Sequence, residues 1–194
     1  MNSVKTVIKH VASLIALLIA FPGAALGGFG RFRAGYEFFA EAMALVPGLP
    51  GDYIRVAYYR LTLEKAPANW RISFGSTFAH REVRVEEGVY IGQYCILGRV
   101  EIGARSQIAS GVQILSGSHQ HQRAADGAIQ PANQADFRRV KIGEDCWIGA
   151  SAIVMADIGS GTTVGAGSVV TKPLPAGVTA VGSPARILQA PESQ

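Results

Sequence analysis

The chain has 194 residues, enough for one well-cored domain with an appendage and too few for two domains of ordinary size. Charged residues make up 16% and hydrophobic residues 48%, with 23 glycines, a balance that excludes a disordered chain and favours a turn-rich folded body. The net charge of +4 is spread along the sequence without the clustered basic and aromatic residues of a nucleic-acid platform, so anionic membrane lipid or an anionic ligand is the better use of it.

No charged side chain occurs from Val11 to Gly30, a stretch preceded by Lys5 and Lys9 and followed by Arg31 and Arg33. A spanning helix, a secretory signal peptide and a segment that dips into one leaflet are the competing readings. The dense apolar run Val11 to Phe21 is 11 residues, about 17 Å at the helical rise, against a hydrocarbon core of about 30 Å. Pro22-Gly23 and Gly27-Gly28 are expected to break regular helix beyond it. Residues 1–46 are therefore read as a membrane-associated segment, re-entrant or interfacial. Phe32, Tyr36, Phe39, Met43 and Val46 supply the apolar side of an amphipathic stretch within it. Packing on a partner subunit is the other use for such faces.

Residues 47–69 read as a docking helix and linker. Pro47-Gly48-Leu49-Pro50-Gly51 is dense turn punctuation, and Asp52 is expected to cap a helix running to about Lys65 before Ala66-Pro67 ends it. Tyr53, Val56, Ala57, Leu61 and Glu64 share the face that would dock, leaving Arg55 and Arg60 toward water, with lipid phosphate as the other use for them.

From residue 70 to 188 an aliphatic residue, then a Gly or another small or acidic residue, recurs about every six positions. Clear copies begin at Val85, Ile91, Ile102, Ile108, Ile142, Ile148, Ile158 and Val164. Each unit makes one short strand and one corner, with the aliphatic side chain inside a narrow prism. Small residues at the fifth position (Cys95, Ser106, Val112, Cys146, Ala152, Thr162, Ser168) fill the converging walls. The two cysteines are thus space-filling core residues, without the spacing of a metal site or a disulfide framework. Two spacings depart from six: Val154 to Ile158 is four, and Leu97 to Ile102 is five, each implying an adjusted corner.

With these units, and above all with CWIGASAIVM followed by IGSGTTVGAGSVVTKPLPAGVTAVGSPAR, the sequence resembles the hexapeptide-repeat acyltransferases. The fold implied is all-β, a left-handed parallel β-helix, here behind an N-terminal helical, membrane-associated segment. The hand comes from the resemblance, since the spacing fixes none. The resemblance also implies acetyl-CoA as acyl donor, no metal, and a homotrimer whose active sites lie between subunits. Its CoA-binding end maps onto Ala150, Ala166, Thr171, Lys172 and Arg186, where Lys172 and Arg186 would meet phosphates. Use of a cytoplasmic thioester speaks for the cytoplasmic face of the inner membrane and against a cleaved signal.

Between Ile114 and Val140 the repeat is interrupted by a polar segment at 115–139, too polar for the prism interior and long for an idle connection. In the resembling enzymes such a loop carries the catalytic histidine at its root, and His119 holds that place. Imidazole suits removal of the proton from a sugar hydroxyl as it attacks a thioester. His121 reads as a substrate contact or a bystander, Asp126 and Asp136 as candidates to orient an imidazole, and His80 as structural or exposed. The implied activity is O-acetylation of a sugar, polysaccharide or lipid-linked glycan precursor. N-acetylation of an amino sugar and a non-catalytic scaffold are the alternatives. The histidines lack the ligand spacing of the zinc-dependent carbonic anhydrases built on this scaffold. Residues 189–194 are a tail.

Overall fold

The computed structural model describes residues 2–117, 123–131 and 137–188, with side chains from Lys5 onward. Its body is a parallel β-helix of triangular section. One face stacks Arg71–Ile72, Tyr90–Ile91, Gln107–Ile108, Trp147–Ile148, Thr163–Val164 and Thr179–Val181 in that order, and Arg186–Ile187 closes it antiparallel. The second face stacks Thr77–Phe78, Ile96–Leu97, Gln113–Ile114, Ile153–Val154 and Val169–Val170. The third stacks Arg84–Val85, Val100–Ile102 and Val140–Ile142, continued by single bridges at Ile158 and Leu174. Lys65 already bridges to Arg84 at the start of this face.

In-register pairing makes each interior residue sit on its counterpart one coil away. Ile72, Ile91, Ile108, Ile148 and Val164 form one column, and Phe78, Leu97, Ile114, Val154 and Val170 a second, all at most 1% exposed. Val85, Ile102, Ile142 and Ile158 form the third. Burial of each such side chain contributes roughly 1.5–3 kcal/mol, and only stacking supplies the burial.

The small fifth-position residues are buried as expected, and several also join coils. Ser106 Oγ donates to the Gly143 carbonyl and accepts from the Cys146 N–H, while Thr162 Oγ1 donates to the Pro175 carbonyl. The thiols of Cys95 and Cys146 lie 3.2 Å from the carbonyls of Ala109 and Gly159. Size alone does not describe these positions.

The glycines after the aliphatic residues serve close approach. A Cβ at Gly143 would lie 2.4 Å from the Ser160 N, because corner backbones stack directly on one another. The left-handed residue comes two positions later, where Asp145 and Gly161 have φ of 54° and 69°.

The two irregular spacings share one edge, between the second and third faces, where Val170 to Leu174 repeats the four-residue step. They are therefore a property of that edge, which the chain also leaves for the 115–139 excursion.

Three α-helices precede the coil. α1 spans Asn2–Leu26 without interruption, so the expected break at Pro22-Gly23 does not occur. Pro22 lies on the exposed side, and Gly23 on the buried side admits Phe39, whose Cδ1 would be 2.8 Å from a Cβ there. The stretch Lys5–Leu26 is 22 residues with mean hydropathy 1.9, long enough to cross a membrane by length and composition, which removes the length argument against spanning. Ala16, Ala20, Gly23 and Ala24 are buried along it.

α2, Arg33–Ala44, turns Tyr36 and Ala40 inward. The Tyr36 hydroxyl donates to the Phe78 carbonyl at 2.9 Å, and Phe39, Met43 and Val46 pack on the same core. The apolar side expected to meet lipid or a partner thus packs within the chain, on α1, α3 and the first coil, while Phe32, Phe38 and Leu45 stay exposed.

α3 is Gly48–Thr62, beginning ahead of the expected Asp52 cap, with Pro47 at the N-cap and no side-chain cap. Asp52 sits within the helix as a buried ion-pair partner. Arg55, expected toward water, is 0% exposed: its guanidinium reaches the Ile72 and Val46 carbonyls at 2.9 and 2.7 Å and the Asp52 carboxylate at 2.5 Å. The arginine satisfies carbonyls where the helix, the preceding turn and the first coil converge. Arg60 is exposed.

Candidate functional site

The excursion leaves the coil wall at Leu115 and returns at Arg138, and both ends are tied to it. The Leu115 N–H donates to the Val154 carbonyl, and the Arg138 N–H donates to the Ser116 carbonyl, each at 2.9 Å. Ser116, buried, accepts the Arg99 N–H on its Oγ at 2.9 Å. Gly117 has φ +93°, where the chain turns away from the wall.

On the return, Phe137 lies between two older residues of the coil. The Arg99 guanidinium stands 5.6 Å from its ring centroid and donates to its carbonyl at 3.2 Å, and the His80 ring meets it edge-on at 5.3 Å. Burial, with Arg99 next, lowers the His80 pKa and favours the neutral imidazole. Arg138 pairs with Asp157 at 2.8 Å, and the same carboxylate oxygen accepts the Lys141 N–H. Arg139 and Arg84 share the Glu64 carboxylate, and Arg84 foremost holds that carboxyl below its usual range. The outer part of the excursion folds into a small antiparallel turn, with Arg123 bridged to Ile129. Asp126 Oδ1 accepts the Ala128 N–H there, so this carboxylate is engaged in the turn.

His119, His121 and Asp136 lie outside the described residues, as does the 189–194 tail. What the structure supplies is the foot from which the His119 segment departs. Sequence reading did not single out Ser116, Arg99 or Phe137. The available signal was Gly98-Arg99 at the short edge one coil before the excursion, pairing through space with a residue 38 positions later.

The proposed CoA contacts border the second face at its C-terminal end. Ala150 and Ala166 occupy stacked corners: the Gly167 N–H donates to the Ala150 carbonyl at 2.8 Å, and a Cβ at Gly149 would lie 2.4 Å from the Ala166 N. Thr171 and Lys172 follow the strand Val169–Val170 at the next edge, both exposed. Arg186, exposed, starts the antiparallel closing strand, and its neighbour Ala185 donates to the Val169 carbonyl at 2.8 Å. The two alanines thus lie on one edge of the second face and Thr171-Lys172 on the other, while Arg186 belongs to the strand that closes the first face.

Residues 139–172 match the family model described as the hexapeptide repeat of succinyl-transferase. The chain is 39% identical over 98 residues to the bifunctional protein GlmU of Azotobacter vinelandii, covering 50% of this chain and 18% of that protein. It is 38% identical over 95 residues to the putative colanic acid biosynthesis acetyltransferase WcaF of Escherichia coli K12, covering 48% of each. The chain thus spans less than half the length of these relatives. Among solved structures, the hexapeptide-repeat containing acetyltransferase VCA0836 of Vibrio cholerae superposes with TM-score 0.61 at 19% identity, over 86% of this chain and 93% of that one. A maltose O-acetyltransferase from Clostridium difficile 630 gives TM-score 0.54 at 22% identity, over 84% and 90%. AntD, an N-acyltransferase from Bacillus cereus solved with a sugar nucleotide and coenzyme A, gives 0.53 at 22%, over 64% and 71%. At these identities the structures speak for the fold, and with the repeat they imply the left-handed form of the coil.

Proposed function

We propose that this chain, which carries the hexapeptide repeat and is similar to acetyltransferases built on it, transfers an acetyl group from acetyl-CoA to a hydroxyl of a sugar, polysaccharide or lipid-linked glycan precursor. The observation that carries this reading is the polar excursion at 115–139, clamped to a rigid coil wall by Ser116, Arg99 and Phe137. A base held at the root of such a loop keeps its position while the loop shapes the acceptor site. The likeness to WcaF, a putative acetyltransferase of polysaccharide biosynthesis, supports the substrate class.

In this reading His119 takes the proton of the acceptor hydroxyl as its oxygen attacks the thioester carbonyl. The tetrahedral intermediate collapses with loss of the CoA thiolate, and the proton on the imidazole passes to that sulfur. The products are the acetyl ester and CoA, and a positioned base contributes roughly 10²–10⁴ in rate. His121 contacts the acceptor. Ala150 and Ala166 let the pantetheine approach the backbone, and Thr171, Lys172 and Arg186 hold its polar end. The working form is a homotrimer, with each site between two copies.

Residues 1–46 hold the enzyme on the cytoplasmic face of the inner membrane. An interfacial placement is supported by α1 itself: Leu14, Leu18 and Ile19 are exposed on one side, while the other side packs on α3. A full crossing would draw α3, with Asp52 and Arg60, into hydrocarbon.

The test is turnover of acetyl-CoA by the full chain against a panel of glycan acceptors, with mass detection of the product. An acetyl ester on a sugar hydroxyl is the expected result. CoA release only with amino sugars would make it an N-acetyltransferase, and failure to bind CoA would make it a scaffold.

A further inference from the structure

Between α1, α3 and the first coil lies a groove of about 660 Å³ that the acetyl-transfer reading leaves unused. One wall is apolar, built from Leu14, Leu17, Tyr53 and Val56. Lys9, Arg60 and Arg71 also line it, with His10 and the carboxylate of Asp52. That carboxylate is already matched, accepting from Arg55 at 2.5 Å and from Arg71 at 2.7 Å. The side chains of Lys9 and Arg60 have no ion pair or hydrogen bond among the described residues, so the groove carries surplus positive charge beside its apolar wall.

A second observation comes from Trp70, which lines the same groove. It is 7% exposed, and its Nε1 donor has no acceptor among the described residues. Its ring lends the groove a further apolar surface beside Tyr53 and Val56. The groove also opens beside the exposed apolar side of α1, where Leu14 and Leu18 are 62% and 76% exposed. An anion with a hydrocarbon tail matches both halves, whereas a soluble anion would leave the apolar wall wet.

We propose that this groove binds one anionic phospholipid per chain, its phosphate between Lys9, Arg60 and Arg71 and an acyl chain along Leu14, Leu17 and Val56. The site rests on the interfacial placement of α1 and adds to it a defined stoichiometry and a headgroup preference. It would fix the depth and orientation of the protein on the bilayer.

Native mass spectrometry of the full-length protein in mild detergent tests this, with palmitoyl-oleoyl phosphatidylglycerol against the phosphatidylcholine of the same chains. We expect one phosphatidylglycerol retained per chain and little phosphatidylcholine. Lys9→Gln and Arg60→Gln should each weaken retention about fivefold, the size expected for one basic residue at an anionic lipid surface. Equal retention of the two lipids, or unchanged retention in the double variant, would overturn the site. Displacement of the lipid by millimolar inorganic phosphate would reduce it to an anion site without a lipid preference and likewise overturn it. Flotation with vesicles separates the two levels: binding to phosphatidylcholine and phosphatidylglycerol vesicles alike keeps the membrane reading and removes the site, and binding to neither removes both.

Discussion

The backbone N–H of Arg99 donates to the hydroxyl of Ser116 at 2.9 Å, tying the departure of the excursion to the coil beneath it. The Arg99 side chain then meets Phe137 on the return, so one residue of the wall holds both ends of the loop. Ser116→Ala leaves that N–H without its partner in a buried setting, which costs about 1–3 kcal/mol. The expected result is a lower Tm together with a fall in kcat, because the loop root loosens. An unchanged kcat would mean that the foot does not position the chemistry.

His80 predicts a pH dependence of the same foot. Its folded pKa is depressed, chiefly by burial, below the unfolded value of about 6.5, so the unfolded chain binds the proton more readily. Stability contributed by the neutral ring is therefore present above about pH 6.5 and is lost as the pH falls through the folded pKa. Urea unfolding at pH 7.5 and pH 5 should show a smaller difference for His80→Phe than for the native chain. An identical difference would place the titration elsewhere.

Arg55 joins the helices to the first coil. Replacing it with Met leaves the Ile72 and Val46 carbonyls short of a donor and removes one of the two partners of the Asp52 carboxylate. The expected loss is about 3–5 kcal/mol by chemical denaturation, the range for breaking a buried pair. A loss under about 1 kcal/mol would mean that water replaces the guanidinium.

Glycines of the repeat divide by mechanism. Gly143→Ala forces a methyl to 2.4 Å from the Ser160 N and should destabilise by about 1–3 kcal/mol through overpacking. Gly167→Asn should cost less, because nothing lies within 4 Å of its Cβ position and Asn tolerates the left-handed φ of 68°. The reverse order in Tm would show that backbone conformation outweighs coil stacking.

The proposed chemistry is tested by four side chains. His119→Ala should lower kcat by about 10² or more with acetyl-CoA binding intact, and His121→Ala should act mainly on the acceptor KM. Lys172→Ala and Arg186→Ala should raise the KM for acetyl-CoA with little change in kcat, an effect that shrinks in high salt. A larger kcat loss at His121 than at His119 would reassign the base. Unchanged KM in both cation variants would move the cofactor groove.

The coil was legible in the sequence because its rule is local: an aliphatic residue every six positions and a small residue four further on are what a narrow prism requires of each turn. Ile91, Ile108 and Ile148, or Cys95 and Cys146, could be assigned to the interior before any coil was stacked. The excursion was legible for the complementary reason, that a polar segment cannot enter such an interior. Periodicity carries no information about which backbones touch, and so it missed that the repeat glycines are set by the next coil and that the irregular spacings share one edge. The helical third depended on tertiary structure most. Pro22 and Gly23 read as breakers until Phe39 is seen against Gly23, and the apolar side of α2 reads as lipid-facing until Tyr36 is seen bonded to Phe78. Arg55 reads as solvated because its acceptors come from segments up to 17 residues away, brought together only when the helices dock. Burial of a charge is decided by the partners that folding assembles around it, and those partners have no signature within one turn of the chain.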